Sequence, residues 1–229
     1  MTAASPAATT ARDLLDRLDR AYDYRSWHWQ SDTSRDEICI GAVLVQHTSW
    51  SNVERALERL RDARALTLDA IAGIDEATLA EIVWPAGTPR TKARRLRALA
   101  SLAREHGGLD ALLALGRDEL RERLLATHGI GPETADAIVL YAAGQAVFVV
   151  DAYSRRILRR AGLGPDGERY AAWQRWFQSA LAPDVEAYRR HHGLLVLHGK
   201  ATCRPRPRCP DCCLLDVCET GRETHRAGS

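Results

Sequence analysis

Four thiols lie within sixteen residues near the C-terminal end of this chain: Cys203, Cys209, Cys212 and Cys218, spaced C-x5-C-x2-C-x5-C. Thiols this dense hold a metal or close disulfides, and either outcome fixes a loop that apolar packing alone would leave loose. Met1–Arg12 has neither a basic n-region nor an apolar h-region, and no apolar run approaches a membrane span. The expected compartment is therefore the reducing cytoplasm, where clustered cysteines bind metal or do redox chemistry. A structural zinc site usually pairs two short knuckles across a longer hairpin. Here one short gap is flanked by two longer ones, a continuous loop wrapped around a single object. That suits a [4Fe-4S] cluster better than one tetrahedral ion, with zinc the alternative. Cys213 is expected to point away from the ligand set, and Cys39, between Ile38 and Ile40, to lie in the core.

The rest of the chain reads as all-α. Apolar residues recur at three- and four-residue steps over 11–22, 36–45, 51–63, 75–83, 91–106, 117–126, 133–143, 153–161, 169–181 and 185–198. Turn chemistry separates them at Pro85-Ala-Gly87, Gly107-Gly108, Gly129-Ile-Gly131-Pro132 and Gly162-Leu-Gly164-Pro165. Ala146-Val-Phe-Val-Val150 is strand-like but has no partner, so a buried extended connector is expected. Residues 1–10 read as a disordered tail. Trp50, Trp84, Trp173 and Trp176 are expected to pack between helices, and His191, His192 and His198 to be structural.

A net charge of +2 says little about partners, but its distribution says more. Arg90, Lys92, Arg94, Arg95, Arg97 and Arg104 occur without an intervening acid. Arg155, Arg156, Arg159 and Arg160 form a second group, and Arg204, Arg206 and Arg208 a third. Such groups make a polyanion-binding face or simply solvated helix surfaces. The turn at Gly129-Ile130-Gly131 joins two helices, and Pro132 suits a first helical position. Free amides of Ile130 and Gly131 at that helix start are expected to grip phosphate. Asp151 follows the apolar connector, where it serves as a helix N-cap, as a carboxylate held for chemistry, or as both.

Taken together, Gly129-Ile-Gly-Pro-Glu-Thr-Ala135, Val149-Val150-Asp151, the run from His191 to Lys200 and the four cysteines resemble the helix-hairpin-helix DNA glycosylases of the endonuclease III type, over roughly residues 36–218. The resemblance implies a six-helix barrel domain with the hairpin, 36–148. It also implies a [4Fe-4S] cluster domain built from both chain ends, 11–35 and 149–229, with DNA bound across the cleft and a base flipped out of the duplex. On this likeness Asp151 matches the catalytic aspartate and Gln46 the residue that fills the gap left by the flipped base. Residues 86–93, with Thr88 and Lys92, match the loop that wedges between bases. Gly129, Ile130 and Gly131 would contact DNA, as would Arg204 and Arg206, and Cys203, Cys209, Cys212 and Cys218 would hold the cluster. The implied partner is damaged, double-stranded DNA, and the implied state is a monomer, cytoplasmic and nucleoid-associated when bound.

Two departures matter. Bifunctional members carry a lysine in the second hairpin helix that attacks C1′ as a Schiff base. Glu133 stands there instead, and a carboxylate forms no imine. Lys92 and Lys200 are the chain's two lysines. The expectation is a monofunctional glycosylase with little or no AP lyase activity. Thr88-Pro89 also replaces the usual apolar and aromatic wedge pair. Gly-Ile-Gly-x-Glu-x-Ala-Asp, followed by Val-Val-Asp-x-Tyr-Ser, is similar to the 3-methyladenine glycosylase branch, in which Trp27 and Trp29 would line the base pocket; core packing is the alternative for both. Alkylated purines are cationic, and indole faces bind cations. The rival readings are a glycosylase for oxidised or mispaired bases, a DNA-binding protein without turnover, and an iron–sulfur redox sensor.

Overall fold

The computed structural model describes residues 6–29, 32–167 and 169–227, and every regular element among them is helical. The chain divides into two compact units, Ser31–Gln145 and Met1–Gln30 with Ala146–Ser229. Among the described residues no helix is long and apolar enough to cross a membrane.

The first unit holds α2 (Arg35–Leu44), α3 (Trp50–Asp62), α4 (Leu68–Ala72), α5 (Glu76–Val83), α6 (Pro89–Glu105), α7 (Leu109–Leu113), α8 (Arg117–Ala126) and α9 (Pro132–Ala137). Local chemistry sets their starts. Ser34 accepts from the Glu37 amide, and Asp75 from the amides of Ala77 and Thr78, each satisfying donors that a helix leaves unpaired. α3 buries Val53, Ala56, Leu57 and Leu60, one stripe at helical spacing. α2 is buried from Ile38 through Leu44, Cys39 included, and so runs through the middle of the unit. The helix expected over 133–143 is interrupted: beyond α9, Ile138–Ala142 forms a π-helical turn in which the Ala143 amide reaches back to the Ile138 carbonyl. α4 and α7, five residues each, are too short for periodicity to reveal.

The second unit holds α1 (Pro6–Ala21), α10 (Ala152–Arg160), α11 (Tyr170–Ala180), α12 (Val185–Ala201) and α13 (Glu219–Ala227). α1 begins at Pro6, inside the stretch read as a tail; residues 1–5 of that expectation lie outside the described residues. Val147–Val150 is extended and buried, without a partner strand among the described residues. Side chains take the place of a ladder: Gln178 Oε1 accepts from the Phe148 amide, Gln174 donates to its carbonyl, and Tyr170 Oη accepts from the Val150 amide. Phe148 stacks on Phe177 at 4.0 Å between centroids. This packing puts the division at Gln145/Ala146, ahead of the expected 148/149.

Candidate active site and cysteine loop

Asp151 is the N-cap of α10. Its Oδ1 accepts from both the amide and the hydroxyl of Ser154, each at 2.6 Å. Its Oδ2 lies 3.7 Å from His192 Nε2 on α12. Both side chains are buried. Burial pushes the Asp151 carboxyl up, but the contacts from His192 and Ser154 outweigh it and the pKa is lowered. The site therefore presents a fixed, ionised carboxylate in a poorly solvated setting. The cap and the chemical reading of Asp151 are compatible, because the cap fixes where the charge sits.

Trp27 and Trp29 are buried 4% and 5% exposed, and pack edge to face at 6.0 Å. Trp27 meets the His192 ring at 5.6 Å, so this indole approaches Asp151 through that histidine, with Trp29 behind it. Gly193 makes this possible: a Cβ there would stand 2.7 Å from Tyr24 Cε2 and 3.1 Å from Trp27 Cγ. His28 lies against both indoles, and its pKa is pushed down to about 2 by burial, then by Lys200 and His192. His192 is the residue that the sequence reading assigned only a structural role. Its approach to Asp151 bridges two helices, and no local spacing signals it.

The cysteine loop follows α12. Cys203, Cys209, Cys212 and Cys218 line one pocket, part of it open to solvent, with Ile157 and Leu214 among its apolar walls. Among the described residues no group of three or more His, Cys, Asp or Glu side chains converges as for a single metal ion. Donors point at the sulfurs: Arg160 Nη1 at 3.3 Å from Cys203 Sγ, and the Leu214 amide at 3.4 Å from Cys212 Sγ. Four thiols around one cavity, with a guanidinium and an amide supplying N–H···S bonds, fit the donor set of an iron–sulfur cluster. Cys213, expected to point away, instead shares a hydrogen bond with Cys212 and is half-buried. His198 is held by Tyr22 Oη at 2.8 Å.

Two arginines of α10, Arg156 and Arg160, turn toward this loop. Arg156 donates to the carbonyls of Cys203 and Gly199, and Arg160 to those of Arg204 and Pro205. Arg159 bonds the Gly167 carbonyl and stacks on Trp173. Three of the four arginines in this group, Arg156, Arg159 and Arg160, are spent on internal carbonyls, which leaves them neither a polyanion face nor a simply solvated surface. Arg204, Arg206 and Arg208 are exposed.

In the other unit, the hairpin turn follows α8. Gly129 has φ 77°, and a Cβ on it would lie 2.3 Å from Arg95 Cγ. Gln46 donates to the Gly129 carbonyl and the Thr134 hydroxyl and accepts from Arg95. Its carboxamide is thus bound to the hairpin. Gly129→Ala should cost roughly 1–3 kcal/mol through backbone strain and the displaced Arg95. A fall of several degrees in Tm is expected, and an unchanged Tm would remove this role for the glycine. The Ile130 amide donates to the Thr127 carbonyl and its side chain is buried, so it is not the outward donor expected. Gly131 and Glu133 are exposed.

Lys92 is also corrected. It is 1% exposed, and its ammonium donates to the carbonyls of Leu44 and Ala86, so it faces inward rather than toward a ligand. Burial and then Arg95 lower its pKa to about 8. Arg94, Arg97 and Arg104 bond Glu76, the Ile74 carbonyl and Asp69. Arg90 and Thr88 are exposed, Thr88 with φ 43°. Trp84, grouped with the packing tryptophans, is 55% exposed.

Residues 40–183 match the model of the HhH-GPD superfamily, base excision DNA repair proteins. The Methanocaldococcus jannaschii protein MJ1434, named as a DNA repair glycosylase, is 36% identical over 200 residues, covering 86% of this chain and 90% of that one. The endonuclease III of Sulfolobus acidocaldarius is 28% identical over 182 residues, 79% of each chain. The solved structure of the H. pylori 3-methyladenine DNA glycosylase MagIII, bound to 1,N6-ethenoadenine, superposes with a TM-score of 0.71 at 28% identity, covering 83% of this chain and 97% of that one. An endonuclease III–DNA complex superposes with a TM-score of 0.80 at 22% identity, over 96% and 98% of the two chains, a likeness of fold. This chain belongs to the HhH-GPD superfamily of base excision DNA repair proteins, on the endonuclease III-like side of that family.

Proposed function

We propose that the chain is a monofunctional DNA glycosylase that takes an alkylated purine, flipped from duplex DNA, and hydrolyses its N-glycosidic bond as a monomer. The observation that carries this reading is the anchored, ionised Asp151. A carboxylate with a lowered pKa is a poor general base near neutral pH. A fixed negative charge in a poorly solvated site is instead well placed to stabilise a cationic sugar in the transition state while water attacks C1′. Ser154 sets its geometry, and His192 meets its second oxygen.

Nothing in the hairpin supplies an imine-forming amine at position 133, and the Lys92 amine is enclosed among carbonyls. A cationic purine suits the surroundings of Asp151: a negative charge, two indoles, and in His28 a neutral imidazole. A desolvated cation–π contact is worth about 0.5–2 kcal/mol, or roughly 2- to 30-fold in preference over a neutral base. MagIII, named for 3-methyladenine, supports the same substrate class.

Cys203, Cys209, Cys212 and Cys218 would hold a [4Fe-4S] cluster. That group supplies a structural crosslink and no chemistry at the glycosidic bond. Exposed Arg204, Arg206, Gly131 and Thr88 would meet the DNA.

The test is a panel of alkylated, oxidised, deaminated and mismatched bases in duplex DNA, with borohydride added to parallel samples. Release of 3-methyladenine is expected without release of thymine glycol, with strand breaks appearing only after alkali. A borohydride-trapped covalent complex formed by the wild-type protein would overturn the hydrolytic mechanism.

A further inference from the structure

Trp84 and Leu125 are the large hydrophobic residues left exposed among the described residues. A single exposed apolar side chain needs no explanation in itself. Trp84 differs in its mounting. It opens a one-turn 3-10 helix, Trp84–Ala86, in which Pro85 and Ala86 are buried. Arg59 holds the carbonyls of Glu81 and Ile82 just before it. Lys92 holds the Ala86 carbonyl just after it, and the Gly87 amide closes back onto the Trp84 carbonyl at 3.1 Å. The backbone is pinned on both sides, and the indole stands out from it.

The surroundings point to one occupant. Gly87 and Thr88, the next exposed residues, both have positive φ, at 77° and 43°, so the loop tip is held in a conformation that a threonine adopts only under strain. Arg90 lies exposed on the first turn of α6, ready for a phosphate. Lys92 ties this loop to the end of α2 through the Leu44 carbonyl, and Arg95 ties α6 through Gln46 to the hairpin at Gly129. The indole, the basic residue and the hairpin therefore belong to one hydrogen-bonded set of loops. Thr88 is too small and polar to hold a base step open.

We infer that Trp84 is the base-stacking wedge of this chain, its indole lying against an unstacked base of duplex DNA in place of an apolar residue at position 88. Every base offers a π face, so the contact is indifferent to sequence. The inference rests on the glycosylase reading above and assigns it a residue.

The experiment compares wild-type protein, Trp84→Ala and Trp84→Phe for affinity to a duplex carrying a stable abasic-site analogue. Melting temperature and oligomeric state are measured alongside. Trp84→Ala should weaken binding roughly 5- to 100-fold. Trp84→Phe, which keeps a π face, should recover most of that loss, and both Tm values should stay within a few degrees of wild type because Trp84 is 55% exposed. Equal affinity of wild type and Trp84→Ala overturns the wedge and leaves the glycosylase reading standing. Unchanged affinity with a shift in oligomeric state also overturns it, and assigns the indole to a contact between copies. Wild-type protein that binds no duplex at all removes both readings together.

Discussion

Asp151→Asn should slow base release by on the order of 10²–10⁴-fold while leaving lesion-DNA affinity nearly unchanged and lowering Tm by less than Asp151→Ala does. The substitution keeps the shape of the side chain and an oxygen that can accept from Ser154, so α10 stays capped. It removes the charge, which the proposed mechanism requires. Asp151→Ala makes the contrast: it removes charge and cap together, and should also cost about 1–2 kcal/mol of stability. Single-turnover release of 3-methyladenine, measured beside thermal melting, separates the two effects. An asparagine variant that melts early yet excises normally would reduce Asp151 to a cap.

The same carboxylate sets a pH expectation. Its folded pKa lies below the unfolded value. The stability it contributes is therefore fully present above the ordinary carboxylate range and is lost as pH falls through the folded pKa. Between about pH 5 and 8 the group stays ionised, so any acid limb in activity within that window belongs to another residue.

Cys209→Ser should bleach the purified protein. With four thiols around one cavity, removing one leaves a [4Fe-4S] cluster a ligand short. The broad visible absorption of the wild-type protein should disappear, with a fall in Tm on the order of 10 °C, because a bound group stabilises only the folded chain. Cys213→Ser should keep the colour. Iron analysis gives the second readout: four irons per chain are expected in wild-type protein, and a colourless wild type carrying one zinc would overturn the cluster.

The parts legible in sequence are those written in local spacing. The thiol run, the N-cap at Asp151, the glycines of the hairpin and the long amphipathic helices all announce themselves within a turn or two of chain. Charge direction does not. Lys92 and Arg156 read as part of a surface for polyanions, yet they end on carbonyls of Leu44, Ala86, Gly199 and Cys203. A basic residue satisfies a helix end or a ligand equally well, and only packing decides which it meets. His192 reaches Asp151 because α12 lies beside α10, a tertiary fact with no periodic signature. Trp84 misled for the converse reason: an indole is usually buried, and its exposure follows from a turn fixed at both ends rather than from its hydropathy.

α10 has nine residues, so its axis runs about 14 Å. One end is fastened by the Asp151 carboxylate, and its later turns, through Arg156 and Arg160, grip the cysteine loop. Such a short rod transmits disturbance: with the proposed cluster in the loop, stripping its iron by oxidant or chelator would loosen the far anchor and let the near one drift. Repair capacity would then fade under oxidative stress without any damage to the catalytic group itself, and reassembly of the iron centre would restore it.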